Sequence, residues 1–181
     1  MGPREPGRLV GSLPAMCRPT AGIRVAPVCV RDPHVLELLD ALSNELARGG
    51  YADEETFGYS ADQLERAGVH LIGARVQDWL VGVAGVEVAD GAGELKRFFV
   101  RPEHRGTGVA DALIVALIEH ADAQGVAVLR LETGDKQHAA LTFYRRHGFV
   151  EVPRFGPYVG SATSVCMQRP TSRDAQGGQG R

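Results

Sequence analysis

The stretch Glu94-Leu95-Lys96-Arg97-Phe98-Phe99-Val100-Arg101-Pro102-Glu103-His104-Arg105-Gly106-Thr107-Gly108-Val109-Ala110-Asp111 decides how the rest of the chain is read. Residues 94–100 have strand composition, and Arg101-Pro102 signals a turn. Arg105-Gly106-Thr107-Gly108 is a glycine-rich loop that opens directly into an apolar-periodic segment at Val109. Strand, glycine loop and helix start in that order make an anion site. Glycine lets the backbone approach closely, and the first helical amides lack intrahelical acceptors at the positive end of the dipole. A phosphate-bearing cofactor is the expected occupant.

Downstream of the loop, Val109, Leu113, Leu117 and Ala121 form one helical stripe, with Ala110, Ile114 and Ile118 beside it. Asp111, Glu119 and Asp122 are expected to face away, and Gly125 to end the helix. Residues 126–131 are nearly all apolar, as in a strand covered on both faces. A helix over 138–147, a strand over 149–152, a loop over 153–161 and a last strand over 163–168 complete this half.

Upstream, residues 23–28 read as a first strand, with Pro27 marking an edge or an end. Asp32-Pro33 supplies an N-cap and an N1 proline for a helix carrying Val35, Leu36, Leu38, Leu39, Leu42 and Leu46, stopped at Gly49-Gly50. Ser60 caps a short helix with Leu64. Strands over 69–76, 79–88 and 94–100, joined by Gln77-Asp78 and Asp90-Gly91, form an antiparallel meander. Gly82 and Gly85 inside the second of these suggest bends or close backbone approach. The order β-α-α-β-β-β-α-β-α-β-β implies one α/β (α+β) domain: a mixed, mostly antiparallel sheet of six to seven strands, with helices on both faces. The 94–100 and 126–131 strands should be parallel neighbours in a right-handed unit.

The domain is expected over 23–170. A Pro-, Gly- and Arg-rich extension (1–22) and a Ser-, Gly- and Gln-rich tail (171–181) are expected to be disordered. The extension has no apolar core of a signal peptide, and Met16 is an alternative start. The 181 residues carry 20 Lys and Arg against 22 Asp and Glu, a formal charge of −2, so no basic field points to nucleic acid or an anionic membrane. No apolar run approaches the roughly 18 residues of a membrane span. Cys17, Cys29 and Cys166 are isolated and the six histidines scattered, so no metal site is expected and a reducing cytoplasm is the simplest setting.

A P-loop is excluded, because no Lys-Ser or Lys-Thr follows the glycines. A dinucleotide loop begins correctly at Gly106-Thr107-Gly108 but has Asp111 where its third glycine belongs, and antiparallel hairpins precede it. Arg105-Gly106-Thr107-Gly108-Val109-Ala110 instead matches the Q/R-x-x-G-x-G/A motif and resembles the GNAT superfamily of acetyl-CoA-dependent N-acyltransferases. Residues 137–149, QHAALTFYRRHGF, are similar to that family's second motif, a helix ending in Y-x-x-x-G-F. The likeness spans about residues 23–169 and is specific over 94–149.

The resemblance implies a GNAT fold and an enzyme moving the acetyl group of acetyl-CoA directly to a primary amine of a small molecule. It implies that the backbone of Arg105, Gly106, Thr107, Gly108, Val109 and Ala110 binds the coenzyme A pyrophosphate. The backbone of Phe98, Phe99 and Val100 would bond the pantetheine amides and hold the oxyanion. Gln137 stands where many members have a cofactor-contacting asparagine. Tyr144 would be the general acid, protonated at neutral pH and able to donate to the thiolate, and Glu94 a general base. Asp111 departs from the family pattern; it suits the helix dipole but would repel a nearby phosphate. The acceptor would lie between the loops at 49–59, with acidic Asp53-Glu54-Glu55, and 153–161. A protein or peptide amine as acceptor, and a non-catalytic acyl-CoA sensor of the same fold, remain alternatives. A monomer or homodimer in the cytoplasm is expected.

Overall fold

The computed structural model describes residues 22–49 and 58–171. The expected extension and tail fall outside these residues apart from Gly22 and Thr171, as do Met16 and the acidic cluster at 53–55. Chain order is β1 (Ile23–Pro27), α1 (Pro33–Arg48), α2 (Ala61–Arg66), β2 (His70–Val76), β3 (Trp79–Ala89), β4 (Ala92–Val100), α3 (Val109–Ala123), β5 (Val128–Gly134), α4 (His138–Arg146), β6 (Val150–Val152) and β7 (Ser164–Pro170). The strands form a seven-stranded sheet in the order β1-β2-β3-β4-β5-β7-β6. Its pairs are antiparallel except β4–β5, which is parallel as the crossover through α3 requires.

Helices cover both faces. On one, Val35, Leu38, Leu39 and Leu42 of α1 and Leu64 of α2 pack on Leu71, Leu80, Val83 and Phe99. On the other, Val109, Leu113, Ile114, Leu117 and Ala121 of α3, with Leu141 and Tyr144 of α4, pack on Leu95, Val100, Leu129 and Leu131. Each such aliphatic side chain contributes about 1.5–3 kcal/mol by leaving water. Gly82 lets α3 lie close: a Cβ there would stand 3.0 Å from Leu113 Cδ1 and 3.2 Å from Val109 Cγ1. The close approach expected of this glycine is therefore to a helix.

Most boundaries shift by one or two residues from the sequence expectation, and two of the differences have a clear cause. β5 begins at Val128, because the Val126 amide donates to Ala121 O (3.0 Å) and closes the end of α3 beyond Gly125, whose φ is 69°. Val126 is thus a buried helix-end contact. Thr171, assigned by sequence to the tail, is 1% exposed, and its amide donates to Ala127 O at 3.0 Å. The packed chain therefore runs at least one residue past the expected limit.

Candidate active site

The parallel pairing of β4 and β5 holds only for Ala92, Gly93 and Glu94, opposite Val128, Leu129 and Arg130. Beyond Glu94 the strands separate, while β5 stays paired with β7 to Gly134. A cleft of about 400 Å³ occupies the gap, lined by residues of β4 from Leu95 to Val100 and of β5 from Leu131 to Gly134. Its other walls come from Leu42 and Leu46 of α1, from Gly58 and Tyr59, from the loop before α3, and from Gln137, Phe143 and Tyr144.

A bulge in β4 shapes one wall. Lys96 lies opposite Gly85 and Phe99 opposite Val83, so Arg97 and Phe98 together face Ala84 alone. Arg97 takes φ 54°, the left-handed conformation of a bulge residue that glycine adopts more easily. The extra residue keeps Arg97 on the α1 side with Lys96. Phe98 is sent to the opposite side, where its ring meets Phe143 (5.5 Å) and Tyr144 (6.0 Å).

Two helix N-termini border the cleft, and neither is capped by a side chain. α1 is capped by Asp32 and α2 by Ser60, whereas Gly108 before α3 and Gln137 before α4 make no side-chain cap bond. Gly106 and Gly108 hold φ of 74° and 93°, which carries the backbone around the turn without a side chain in the way. The start of α3 is thus a glycine turn with no side-chain cap, the arrangement that suits an anion. Arg105 is anchored by bonds to Val100 O (3.0 Å) and Glu45 (2.6 Å), and the Thr107 hydroxyl donates to His104 O (2.7 Å). Asp111, outside the apolar stripe of α3, is engaged: Arg146 (2.7 Å) and His147 (2.8 Å) of the α4 end hold one of its carboxylate oxygens. Its charge is thereby tied to α4, which also joins the two motifs.

Of the residues expected at the site, Phe98, Phe99, Val100, Arg105, Gly106, Ala110, Gln137 and Tyr144 line the cleft. Thr107, Gly108 and Val109 do not. Val109 is fully buried and packs in the core under α3. Tyr144 is packed against Phe98, Phe143 and Phe149, and burial, then the charge of Glu132, pushes its phenol well above the usual tyrosine range. It stays protonated throughout the neutral range.

Glu94 stands one layer behind the wall. Its Oε1 accepts from Lys96 Nζ (2.6 Å) and the Tyr158 hydroxyl (2.6 Å). Lys96 also lies 3.7 Å from Glu87 and 4.4 Å from the centre of the Tyr59 ring, and the Tyr59 hydroxyl donates to Glu87 (2.9 Å). The sequence reading missed Glu132, which does line the cleft. Its Oε1 accepts from Ser164 Oγ (2.6 Å), and burial raises its carboxyl above the ordinary range against the opposing effect of that bond. A signal was present, a lone carboxylate in β5 directly after the apolar run at 126–131. Among the described residues no cluster of His, Cys, Asp or Glu could hold a metal.

These features have known counterparts. Residues 36–149 match the model of the acetyltransferase (GNAT) family. An IAA acetyltransferase of Azospirillum brasilense is 30% identical over 138 residues, covering 75% of this chain and 90% of that protein. A Klebsiella pneumoniae protein assigned as an acyl-CoA N-acyltransferase superposes with a TM-score of 0.72 at 29% identity, over 82% of this chain and 97% of that one. The PaiA N-acetyltransferase of Thermoplasma acidophilum, solved with coenzyme A, shares the fold at 17% identity, with a TM-score of 0.67 over 82% of this chain and 98% of that one. With its motifs, its split sheet and these relatives in agreement, the chain belongs to the GNAT acetyltransferase family.

Proposed function

We propose that this enzyme transfers the acetyl group of acetyl-CoA directly to a primary amine of a small molecule. The carrying observation is the cleft where β4 leaves β5: an open strand edge, two uncapped helix N-termini and a buried tyrosine converge on it. The free edge of Phe98, Phe99 and Val100 and the amides of residues 105–110 suit a cofactor with an amide-bearing arm and a diphosphate, and Gln137 adds a side-chain amide at the mouth. Acetyl-CoA supplies an activated thioester.

The chain's own groups then handle protons. Tyr144 holds one on its hydroxyl and donates it to the departing sulfur. Glu132 takes one from the incoming ammonium; its position on the wall and its raised carboxyl favour it over Glu94, which reaches the cleft only through Lys96 and Tyr158. Glu94, expected as base from sequence, is proposed to order that wall.

A small acceptor is supported by the size of the cleft, near the low end of the about 300–1,000 Å³ usual for small-molecule sites. We further place the enzyme in the cytoplasm as a monomer or homodimer; no helix among the described residues is long and apolar enough to cross a membrane. The test is thiol release from acetyl-CoA across amines, amino acids, peptides and IAA, the compound in the relative's name. Turnover with small amines and none with peptides is expected; peptide-only turnover, or cofactor binding with no turnover, would overturn the proposal.

A further inference from the structure

Arg97 lines the cleft and has no part in the proton transfers above. Its Nη2 donates to Leu39 O (2.8 Å) and Ser43 Oγ (2.6 Å) on α1. Its Nε is buried without an acceptor, no bond to Nη1 occurs among the described residues, and no described carboxylate lies within ion-pair distance. Burial disfavours its charged form, and only the more distant Asp40 favours it. The other cations of the cleft are neutralised: Lys96 by Glu94 and Glu87, Arg105 by Glu45. The chain also gives up glycine at position 58, where a Cβ would stand 2.4 Å from Arg97 Nη1.

Two costs thus fall on one residue, a left-handed backbone on a non-glycine and a half-buried cation whose buried Nε–H has no acceptor. Each is unfavourable unless something compensates it. Strain and unpaired charge kept together on a cleft wall mark a place where a ligand completes the arrangement.

We infer that the Arg97 guanidinium receives a carboxylate carried by the acceptor, so that the acceptor is a small amino acid-like molecule with its amine directed to the opposite wall. The amine half of this inference rests on the acetyl-transfer proposal; the carboxylate half does not. Glu132 across the cleft supplies the complementary pole, so a zwitterion is oriented by its two ends. A guanidinium suits the planar carboxylate better than an ammonium would.

The test compares acceptors that differ only in the carboxylate, such as 4-aminobutyrate with butylamine, and α-amino acids with their amides. The wild-type enzyme is expected to favour the carboxylate partner by about tenfold or more in kcat/KM, the scale of one charge-assisted hydrogen bond. In Arg97→Gln that ratio should collapse toward one, and in Arg97→Lys it should survive in part. A wild-type ratio near one, or a ratio unchanged in Arg97→Gln, overturns the inference. If no amine is acetylated, the fault lies with the acetyl-transfer proposal, and binding decides this one. Phenylacetate should then raise the melting temperature of the wild type while phenylethanol does not, and Arg97→Gln should abolish the rise. Equal effects of the two compounds, or none, overturn it.

Discussion

Removing the Lys96 charge tests whether the wall behind the cleft is a coupled electrostatic unit. Lys96 is 8% exposed, and its side chain bridges Glu94 at 2.6 Å and Glu87 at 3.7 Å, each of these carboxylates about a quarter exposed. Lys96→Met fills a similar volume but leaves two carboxylates facing each other with no cation. Breaking a buried pair from one side costs about 3–5 kcal/mol. Here each carboxylate keeps a hydroxyl donor, Tyr158 on Glu94 and Tyr59 on Glu87. The lower end, about 3 kcal/mol, is therefore expected. With a urea m-value of about 2 kcal/mol/M, the unfolding midpoint falls by about 1.5 M. Lys96→Met/Glu94→Gln removes the repulsion as well, and should recover most of the loss, to within about 1 kcal/mol of wild type. Urea unfolding by circular dichroism gives both numbers. A single variant within about 1 kcal/mol of wild type, or a double variant no better than the single, would refute the coupling.

Four further outcomes are expected. Tyr144→Phe should lower kcat by about 10²–10⁴-fold, while stability and coenzyme A affinity hold, because the ring contacts with Phe98, Phe143 and Phe149 persist; an unchanged kcat would remove the acid. Glu132→Gln should abolish a rising limb of kcat/KM whose midpoint lies above 4.5, the ordinary glutamate value. Since the folded carboxyl is raised, its contribution to stability is full below 4.5 and is lost as pH rises through the folded value. Glu132→Gln should therefore be the more stable protein at neutral pH and match wild type in acid. Gly82→Val should lose about 1–3 kcal/mol in urea unfolding by pushing α3 off β3, and should weaken coenzyme A binding in isothermal titration, because the glycine loop is the start of that helix. His70 stacks on His120 at 3.7 Å, and burial, then the His120 charge, lowers it from 6.5. Its contribution is thus present above 6.5 and lost as pH falls through the folded value, and His70→Phe should flatten that part of the stability–pH curve.

Local chemistry explains how much could be read in advance. Asp32-Pro33 and Ser60 cap the two helices they were expected to cap, and the meander follows from turn residues between apolar runs. Periodicity and capping act within a few residues, so they are written in order along the chain. The glycine loop belongs to the same class, since a turn and a helix start need only neighbours. Eight expected cofactor or catalytic positions fall on the cleft wall because they sit on two such local motifs.

What stayed hidden depends on partners far along the chain. That Glu94 would be occupied by Lys96 and Tyr158, 64 residues apart in the Glu94–Tyr158 bond, is set by how a 3₁₀ turn over Gly156–Gly160 folds back on β4. That Glu132 would reach the cleft depends on the register at which β5 leaves β4 for β7. The tie from Asp111 to α4, and the lack of a carboxylate partner for Arg97 among the described residues, are likewise products of packing. The glycine-rich stretch at 94–111 by itself determined that a glycine loop opens into an uncapped helix start, because backbone amides and glycine torsions are local properties. Which carboxylate lines the cleft, and which of its cations lacks a described carboxylate partner, only the tertiary structure decided, because charge balance is a sum over side chains that folding alone brings together.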